Sequence, residues 1–360
     1  MNPAEHKSVA ARLDSLPLPR DGVTLQRAST VPIEPIRWLW RPLLARGKLH
    51  LLAGEAGQGK TTIALAMAAT VSLGSTWPDG ESCPAGQVLI WSGEDDPADT
   101  LAPRLAAMGA DMDRVLFVGD TGSRGRSRPF DPAKDMPMLT DAALAQGGAS
   151  LIVIDPMVSS VHGDPNNQAD VRRSMEPLSR LAHTLDAAVV GIHHFSKGSS
   201  GRSPLDRITG SLAFGAVVRV ALAVASVKDA DGTSRRVMAV AKSNIGRSDL
   251  GFEYVLDVRE LQPGVEGTTV AWGRQLQGRA DELLADAPEA SEKHSALGDA
   301  VEWLRGYLTC STPANTVYAD GEAAGHSKAS IRRASESLAV KKSKGMNGAS
   351  YWQLVQPASP

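Results

Sequence analysis

The sequence predicts an α/β fold with a mostly parallel, twisted sheet, followed by a small domain of three helices and a basic hairpin. Three observations lead to this prediction. A glycine-rich loop at residues 54–61 stands between a strand-like and a helix-like run, short apolar runs alternate with helical stretches from residue 48 to about 275, and a separate basic segment comes near the end of the chain. Such alternation is what a parallel sheet built by crossovers requires.

The chain is expected to contain four regions. Polar residues with several prolines predict a mostly disordered arm over 1–30, and the alternating pattern predicts an α/β domain over 31–275. An Ala/Glu/Asp-rich stretch over 276–296 is interpreted as a linker, and residues 297–360 as a second small domain.

The individual elements follow from the apolar periodicity. We expect strands at Leu49–Ala53, Val88–Ser92, Val115–Val118, Leu151–Asp155, Ala188–His193, Val218–Val227 and Val237–Ala241. Helices are expected around 61–72, 98–108, 136–145 and 169–185. The turn at 229–232 predicts that the last two strands form an antiparallel hairpin that closes the sheet.

Composition restricts the class of protein. Hydrophobic residues make up 42% of the 360 residues and charged residues 22%, as in ordinary globular proteins. The apolar stretches are too short or interrupted to cross a bilayer, the N-terminus has no basic-then-apolar signal pattern, and the two cysteines lie far apart in sequence. We therefore expect a cytoplasmic protein without a membrane partner.

The loop at residues 54–61 has the spacing G-x-x-x-x-G-K-[ST], which is specific for phosphate binding. Its glycines allow backbone N–H groups to surround the phosphates, its lysine reaches the β- and γ-oxygens, and its threonine hydroxyl ligates Mg²⁺. ATP and Mg²⁺ are the expected cofactors. The nucleotide is expected to contact Gly54, Glu55, Ala56, Gly57, Gln58, Gly59, Lys60, Thr61 and Thr62.

Two further segments supply carboxylates. The apolar strand Leu151–Asp155 ends in an aspartate, so Asp155 is expected to hold Mg²⁺ together with Thr61. Pro156 follows, so the catalytic base must come from elsewhere. We expect Glu94, at the end of a strand predicted to lie beside the phosphate-loop strand, to orient and deprotonate the attacking water. The alternative is that the acidic residues there only cap the next helix.

A base on the second strand and an aspartate on a later strand resemble RecA-like ATPases. The chain also contains the segments Gly93-Glu94-Asp95-Asp96-Pro97, Ile154-Asp155-Pro156 and Gly191-Ile192-His193-His194, and Arg104. On these residues, the stretch 35–245 resembles AAA-family ATPases related to RepA-type plasmid replicative helicases. The resemblance implies a homo-oligomer, namely a hexameric ring with ATP between subunits. It also implies that His194 or His193 senses the γ-phosphate; we favour His194, and a structural role for the pair stays open.

Such rings complete the active site with a basic residue from a neighbouring subunit. The segment Lys242-Ser243-Asn244-Ile245-Gly246 resembles the finger region of related helicases, but an asparagine stands where an arginine is expected. Lys242, Arg219 and Arg207 are therefore all candidates. An ordinary surface cation is the alternative for each.

Two regions are expected to bind DNA. Lys197 and Arg202 lie in a polar loop that would contact single-stranded DNA in a central channel, unless it is a plain surface loop. The carboxyl-terminal pattern indicates a winged helix, and residues 327–352 carry a local charge of +5. Duplex DNA is the expected partner there, and a protein-contact role is the alternative. The candidate residues are Lys328, Arg332, Arg333, Lys341, Lys342 and Lys344.

The expected function is that of a DNA-dependent ATPase, a hexameric helicase-like motor in the DNA replication of a plasmid, phage or mobile element. Two alternatives remain at this point. One is a recombination mediator or strand-annealing ATPase that does not unwind DNA, and the other is a regulatory ATP-binding switch that recruits partners.

Overall fold

The computed structural model describes residues 25–123, 126–195, 203–204, 207, 212–229, 232–285, 296–345 and 350–354. Most of the predicted arm over residues 1–30 lies outside the described residues, and its described end contains only an exposed 3₁₀ turn at Ala28–Thr30. The chain divides into two compact units, one made of Met1–Lys228 with Ser234–Ala285 and one of Asp229–Thr233 with Asp286–Pro360.

The first unit is a mixed α/β domain. Its described strands are β1 (Trp38–Trp40), β2 (Leu44–Ala45), β3 (Lys48–Gly54), β4 (Val88–Ser92), β5 (Val115–Phe117), β6 (Thr121–Ser123), β7 (Arg126–Arg128), β8 (Leu151–Asp155), β9 (Ala188–His194), β10 (Val220–Lys228), β11 (Ser234–Ser243), β12 (Leu250–Gln262) and β13 (Val265–Gln277). Its described α-helices are α1 (Lys60–Leu73), α2 (Ala102–Ala107), α3 (Met136–Ala145), α4 (Gln168–Leu185), α5 (Leu212–Val217) and α6 (Ala280–Leu283). A π-helical turn at Pro97–Leu101 precedes α2.

Nine of these strands form one sheet in the order β13-β12-β11-β10-β3-β9-β8-β4-β5. The six strands from β10 to β5 are parallel, and the strands from β10 to β13 are antiparallel hairpins. The predicted α/β class with a mostly parallel sheet is thus confirmed. Because parallel strands end at the same edge, the segments that follow β3, β9, β8 and β4 meet there.

The expected position of β4 was wrong. It pairs with β8 and β5, and both β8 and β9 lie between it and β3. Strand β8 is buried along its whole length, as a central strand covered on both faces must be. The chain order of parallel strands does not fix their spatial order, because each crossover can pass over a strand that is added later.

Apolar side chains cover both faces of the parallel strands. On one face, the buried residues Ile63 and Met67 of α1 pack in a cluster with Leu52 and Val190. On the other face, Met175 and Leu178 of α4 pack with Leu51, Ile152 and Val189. This two-sided cover holds the strand ends in fixed positions, as a site at the sheet edge requires.

The sheet continues beyond the predicted closing hairpin. β10 and β11 do form an antiparallel hairpin, but β12 and β13 extend the sheet with two further strands of 13 residues each. The first part of the predicted linker is also ordered, because β13 reaches Gln277 and Ala280 of α6 packs with Val237 and Ala239 of β11. Residues 286–295 of that linker lie outside the described residues.

The second unit has its own core. Its described elements are α7 (Ala296–Tyr307), β14 (Thr312–Pro313), α8 (Ala314–Ala323), α9 (Lys328–Ser337), β15 (Lys341–Lys344) and β16 (Ser350–Gln353). The strands pair in the order β14-β16-β15. Leu304, Val317, Ile331 and Trp352 are buried against each other, one from each helix and one from the hairpin. Ser327 caps α9, since its hydroxyl accepts a hydrogen bond from the Ser330 N–H at 3.1 Å.

Among the helices in the described ranges, none combines the length and the apolar character that a membrane span needs.

Candidate active site

The glycine-rich loop connects the buried strand β3 to helix α1. Gly57 and Gly59 have φ angles of 76° and 79°, in the left-handed region that favours glycine. A side chain at Gly59 would also collide with Leu256, since a Cβ there would lie 2.7 Å from a Leu256 methyl carbon. Helix α1 begins at Lys60 directly after Gly59, so its N-terminal N–H groups face the loop.

The ammonium group of Lys60 lies inside this loop. Its Nζ donates to the carbonyl oxygen of Glu55 at 2.8 Å and lies 3.2 Å from Nδ1 of His194. Burial lowers the pKa of Lys60, and the charges of Asp155, Glu94 and Glu55 oppose that shift. Of the other loop candidates, Thr62 is buried in α1 and Ala56 is exposed.

Thr61 and Asp155 meet as the sequence predicts. The Thr61 hydroxyl donates to Oδ2 of Asp155 at 2.7 Å, and Asp155 is only 3% exposed at the end of β8. Burial, with a smaller contribution from the nearby charges of Glu94 and Asp95, raises the pKa of Asp155 to about 6, although the hydrogen bond from Thr61 opposes the shift. A hydroxyl and a carboxylate amid excess negative charge fit Mg²⁺, which in nucleotide sites takes few protein ligands beside phosphate and water oxygens.

The three acidic residues after β4 have separate surroundings. Asp95 forms an ion pair with Arg104 at 3.2 Å, and the Asp96 carboxylate caps the next helical turn by accepting from the Ala98 N–H at 2.7 Å. The Glu94 carboxylate has no hydrogen-bond partner within the described parts of the chain. Glu94 is exposed and close enough to influence the charge states of Lys60, Asp155 and His194. Capping therefore accounts for Asp96 but not for the position of Glu94.

The two histidines at the end of β9 point in opposite directions, as successive strand residues do. The His193 ring packs 4.8 Å from the Phe214 ring, and burial lowers its pKa to about 4. His194 is exposed and faces Lys60. Burial and the charge of Lys60 lower the pKa of His194, whereas Glu94 raises it.

The three finger candidates lie in different surroundings. Lys242 donates hydrogen bonds to the carbonyl oxygens of Gly215 and Val218, so its ammonium group serves as a donor for backbone carbonyl groups at the carboxyl end of α5. Arg219 is exposed just before β10. Arg207 contacts the phosphate loop of its own chain, because its Nη2 donates to Oε1 of Glu55.

Strand β12, which is not among the expected strands, also contributes to the loop. The Tyr254 hydroxyl of β12 donates to the carbonyl oxygen of Gln58 at 2.7 Å, and Leu256 covers Gly59. Burial raises the pKa of Tyr254. No local signal could reveal this contact, since Tyr254 is almost 200 residues from the loop and its strand was not predicted.

The predicted DNA-binding residues are only partly described. Lys197 and Arg202 lie outside the described residues. Arg332 and Arg333 are exposed on α9, whose Lys328 lies 3.5 Å from Glu322. Three exposed lysines follow on β15, namely Lys341, Lys342 and Lys344.

Comparisons with known proteins bear on this site. A family model described as an AAA domain matches residues 14–200, just over half of the chain, and this range includes the loop, Glu94, Asp155 and both histidines. Among solved structures, the chain is similar to a KaiC-like protein from the hyperthermophilic archaeon Pyrococcus horikoshii OT3. That pair has 15% sequence identity and a TM-score of 0.45, over 66% of this chain and 100% of the other. A comparison with curated protein sequences found no match.

Proposed function

The chain belongs to the AAA-domain family of ATPases, and from this premise we propose that it is a DNA-dependent motor that hydrolyses ATP at the edge of its parallel sheet. One observation carries the proposal. The ends of four neighbouring strands, β3, β9, β8 and β4, bring together a phosphate loop, a histidine, a buried aspartate and an exposed glutamate. These are the groups that phosphoryl transfer to water needs.

In this proposal, the loop and α1 hold the β- and γ-phosphates through backbone N–H groups and Lys60. Glu94 orients the attacking water and accepts its proton, since its carboxylate is exposed and has no hydrogen-bond partner among the described residues. Thr61 and Asp155 would hold Mg²⁺, which supplies charge neutralisation for the phosphate oxygens when bound. His194 would donate a hydrogen bond to the γ-phosphate and lose it after hydrolysis.

The motor role rests on two further proposals. We propose a ring of six identical subunits in which a basic residue of one subunit completes the site of the next. The exposed Arg219 suits that role better than the internally bonded Lys242. We also propose that the second unit is a winged helix that binds duplex DNA. Two observations support this proposal. The helices and strands of the second unit follow the chain order of a winged helix, and all four residues of β15 are exposed, three of them lysines.

The first test is nucleotide binding. Lys60→Ala removes the cation that faces the β- and γ-phosphates, so we expect loss of ATP binding by equilibrium titration. Lys48→Ala, at the opposite end of β3, is the matched control. Binding of ATP to the Lys60 variant with the affinity of the unsubstituted protein would contradict the site assignment.

The second test separates a motor from other ATPases. ATPase rate is measured with and without single-stranded DNA, alongside native mass and strand displacement on a forked duplex. A motor is expected to be stimulated by DNA, to form a ring and to displace the strand. Stimulation without displacement would favour a mediator or annealing ATPase, and turnover that ignores DNA would favour a regulatory switch.

A further inference from the structure

The phosphate loop carries a negative charge of its own. Glu55 is the second residue of the loop, and its side chain is 57% exposed. A carboxylate at this position repels a triphosphate bound in the loop, because both are anions. Offsetting the charge of Glu55 therefore favours phosphate binding.

Arg207 is placed to offset that charge. Its guanidinium donates to the Glu55 carboxylate through Nη2, and its side chain is only 16% exposed. The guanidinium carbon lies 4.4 Å from the centre of the Phe195 ring, which supports it as a cation–π partner. Phe195 is itself tied to the loop, since its N–H donates to the Gly54 carbonyl oxygen at 3.2 Å.

The guanidinium also retains an unused donor. Its Nε is buried and has no hydrogen-bond partner within the part of the chain that the structure describes. An arginine without a structural role on the protein surface would expose its Nε–H to water. Arg207 is instead held in one orientation by the carboxylate on one side and the aromatic ring on another.

We propose that Arg207 acts within its own subunit as a charge-compensating residue that neutralises Glu55 and so maintains the affinity of the loop for a nucleoside triphosphate. The inference rests on the proposed nucleotide site. It removes Arg207 from the candidates for a finger that acts on a neighbouring subunit. Arg207 is a positioning residue, because it acts through Glu55 and not on the reacting atoms.

The test is a double-mutant cycle on the full chain, with ATP and ADP as probes in equilibrium titrations. Arg207→Met removes the charge but keeps an unbranched stem over Phe195, and Glu55→Gln removes the carboxylate. We expect Arg207→Met to weaken ATP binding about tenfold, with a smaller effect for ADP, which carries less charge, and a smaller effect at high salt. The double variant should regain the original affinity to within about threefold.

Two controls accompany the cycle. Arg180→Met removes an arginine that pairs with Glu176 at 2.9 Å on the exposed face of α4, so it changes net charge equally without touching the loop. Arg207→Lys keeps the charge and should retain most of the affinity. Circular dichroism checks that each variant is folded.

Each outcome decides the matter. Recovery of ATP affinity in the double variant supports the proposal that Arg207 compensates the charge of Glu55. A double variant as weak as Arg207→Met alone would overturn it, because Arg207 would then act on the phosphates directly. Unchanged ATP affinity in Arg207→Met, with or without loss of hydrolysis, would also overturn it. Failure of the unsubstituted protein to bind ATP would instead reject the proposed nucleotide site.

Discussion

The Nζ atom of Lys60 lies 3.2 Å from the Nδ1 atom of His194. An ammonium group has only donors, so Nδ1 must accept and the imidazole proton resides on Nε2. The lowered pKa of His194 agrees with a neutral ring. A neutral ring with a proton on Nε2 has one donor left for a phosphate oxygen, and its acceptor side holds the lysine of the loop.

His194→Ala is therefore expected to affect turnover more than binding. We expect kcat for ATP to fall about 10²- to 10³-fold, the loss typical of a hydrogen-bond donor that acts on developing charge, with a small change in ATP affinity. Steady-state ATPase assays and nucleotide titration measure the two quantities. His183→Ala, at an exposed position on α4, is the control. Equal turnover in the His194 variant and the unsubstituted protein would remove this residue from the mechanism.

Glu94→Gln tests the proposed base. The amide cannot accept the proton of water, so we expect kcat to fall ~10²–10³-fold while ATP binding and any ring persist. Asp99→Asn, five residues away in the exposed helical turn, should leave turnover unchanged. If Glu94→Gln hydrolyses ATP normally, Asp95 becomes the next candidate, since its ion pair with Arg104 could be broken on nucleotide binding.

Arg219 and Lys242 should differ when each is changed to alanine. Lys242→Ala leaves the carbonyl oxygens of Gly215 and Val218 without their donor, so its main effect should be a lower Tm. Arg219→Ala should keep its Tm and ATP binding but lose hydrolysis.

Mixing subunits tests whether Arg219 acts on a neighbour. Arg219→Ala subunits keep a working loop, and Lys60→Ala subunits keep Arg219. A mixture should hydrolyse ATP although neither variant does so alone, because a mixed interface would combine both intact parts. A mixture as inactive as its components, or normal hydrolysis by Arg219→Ala alone, would contradict a role in trans.

Local sequence signals predicted the parts of this site that depend on local structure. The loop, the helix after it, the strand ending in Asp155 and helix α3 at Met136–Ala145 all follow from glycine spacing and apolar periodicity over short windows. The meeting of Thr61 with Asp155 could also be predicted, because the carboxyl ends of parallel strands share one edge.

Contacts between distant segments could not be predicted in this way. The position of β4 depends on which strands the crossovers pass, and Tyr254 reaches Gln58 because the antiparallel hairpins add β12 to the same sheet and place Tyr254 in the core cluster that α1 also joins. Strand β12 mostly alternates apolar and polar residues from Phe252 to Arg259, so its sequence carries a strand signal, and only its place in the sheet has no local pattern. The pairing of Arg207 with Glu55 spans 152 residues and has no local pattern.

The basic hairpin gives a prediction about DNA. Lys341, Lys342 and Lys344 are exposed, and changing all three to glutamine should weaken duplex binding and flatten its dependence on salt. Each lost phosphate contact reduces the slope of log K against log salt by about 0.9. Fluorescence anisotropy at several salt concentrations measures both effects, with Arg305→Gln on α7 as the control. An unchanged slope, with assembly or partner binding lost instead, would indicate a protein-contact domain.

His50 gives a prediction about pH and stability. It is fully buried in β3, where its Nε2 accepts from the Ala45 N–H at 2.9 Å and its Nδ1 lies 3.1 Å from the Val189 carbonyl oxygen. A ring that accepts at Nε2 and donates at Nδ1 is neutral. Burial lowers its pKa from 6.5 to about 4.

The sign of the effect follows from where the proton binds. Between pH 6.5 and about 4, the unfolded chain takes up a proton at His50 that the folded protein does not, so the stability that His50 contributes is full above pH 6.5 and is lost as the pH falls toward 4. The shift corresponds to ~3 kcal/mol.

The substitution His50→Gln tests this effect. A glutamine amide can donate and accept hydrogen bonds but cannot be protonated in this pH range, so the variant should show a flatter pH dependence of the free energy of unfolding, by a similar amount. His193, whose pKa is also about 4, keeps a second share of the dependence in this variant. Urea unfolding at pH 7.5 and 4.5 measures the difference, and His162→Gln, at an exposed position, is the control. Equal pH dependence in the His50 variant and the unsubstituted protein would mean that His50 binds its proton equally well in the folded and unfolded states.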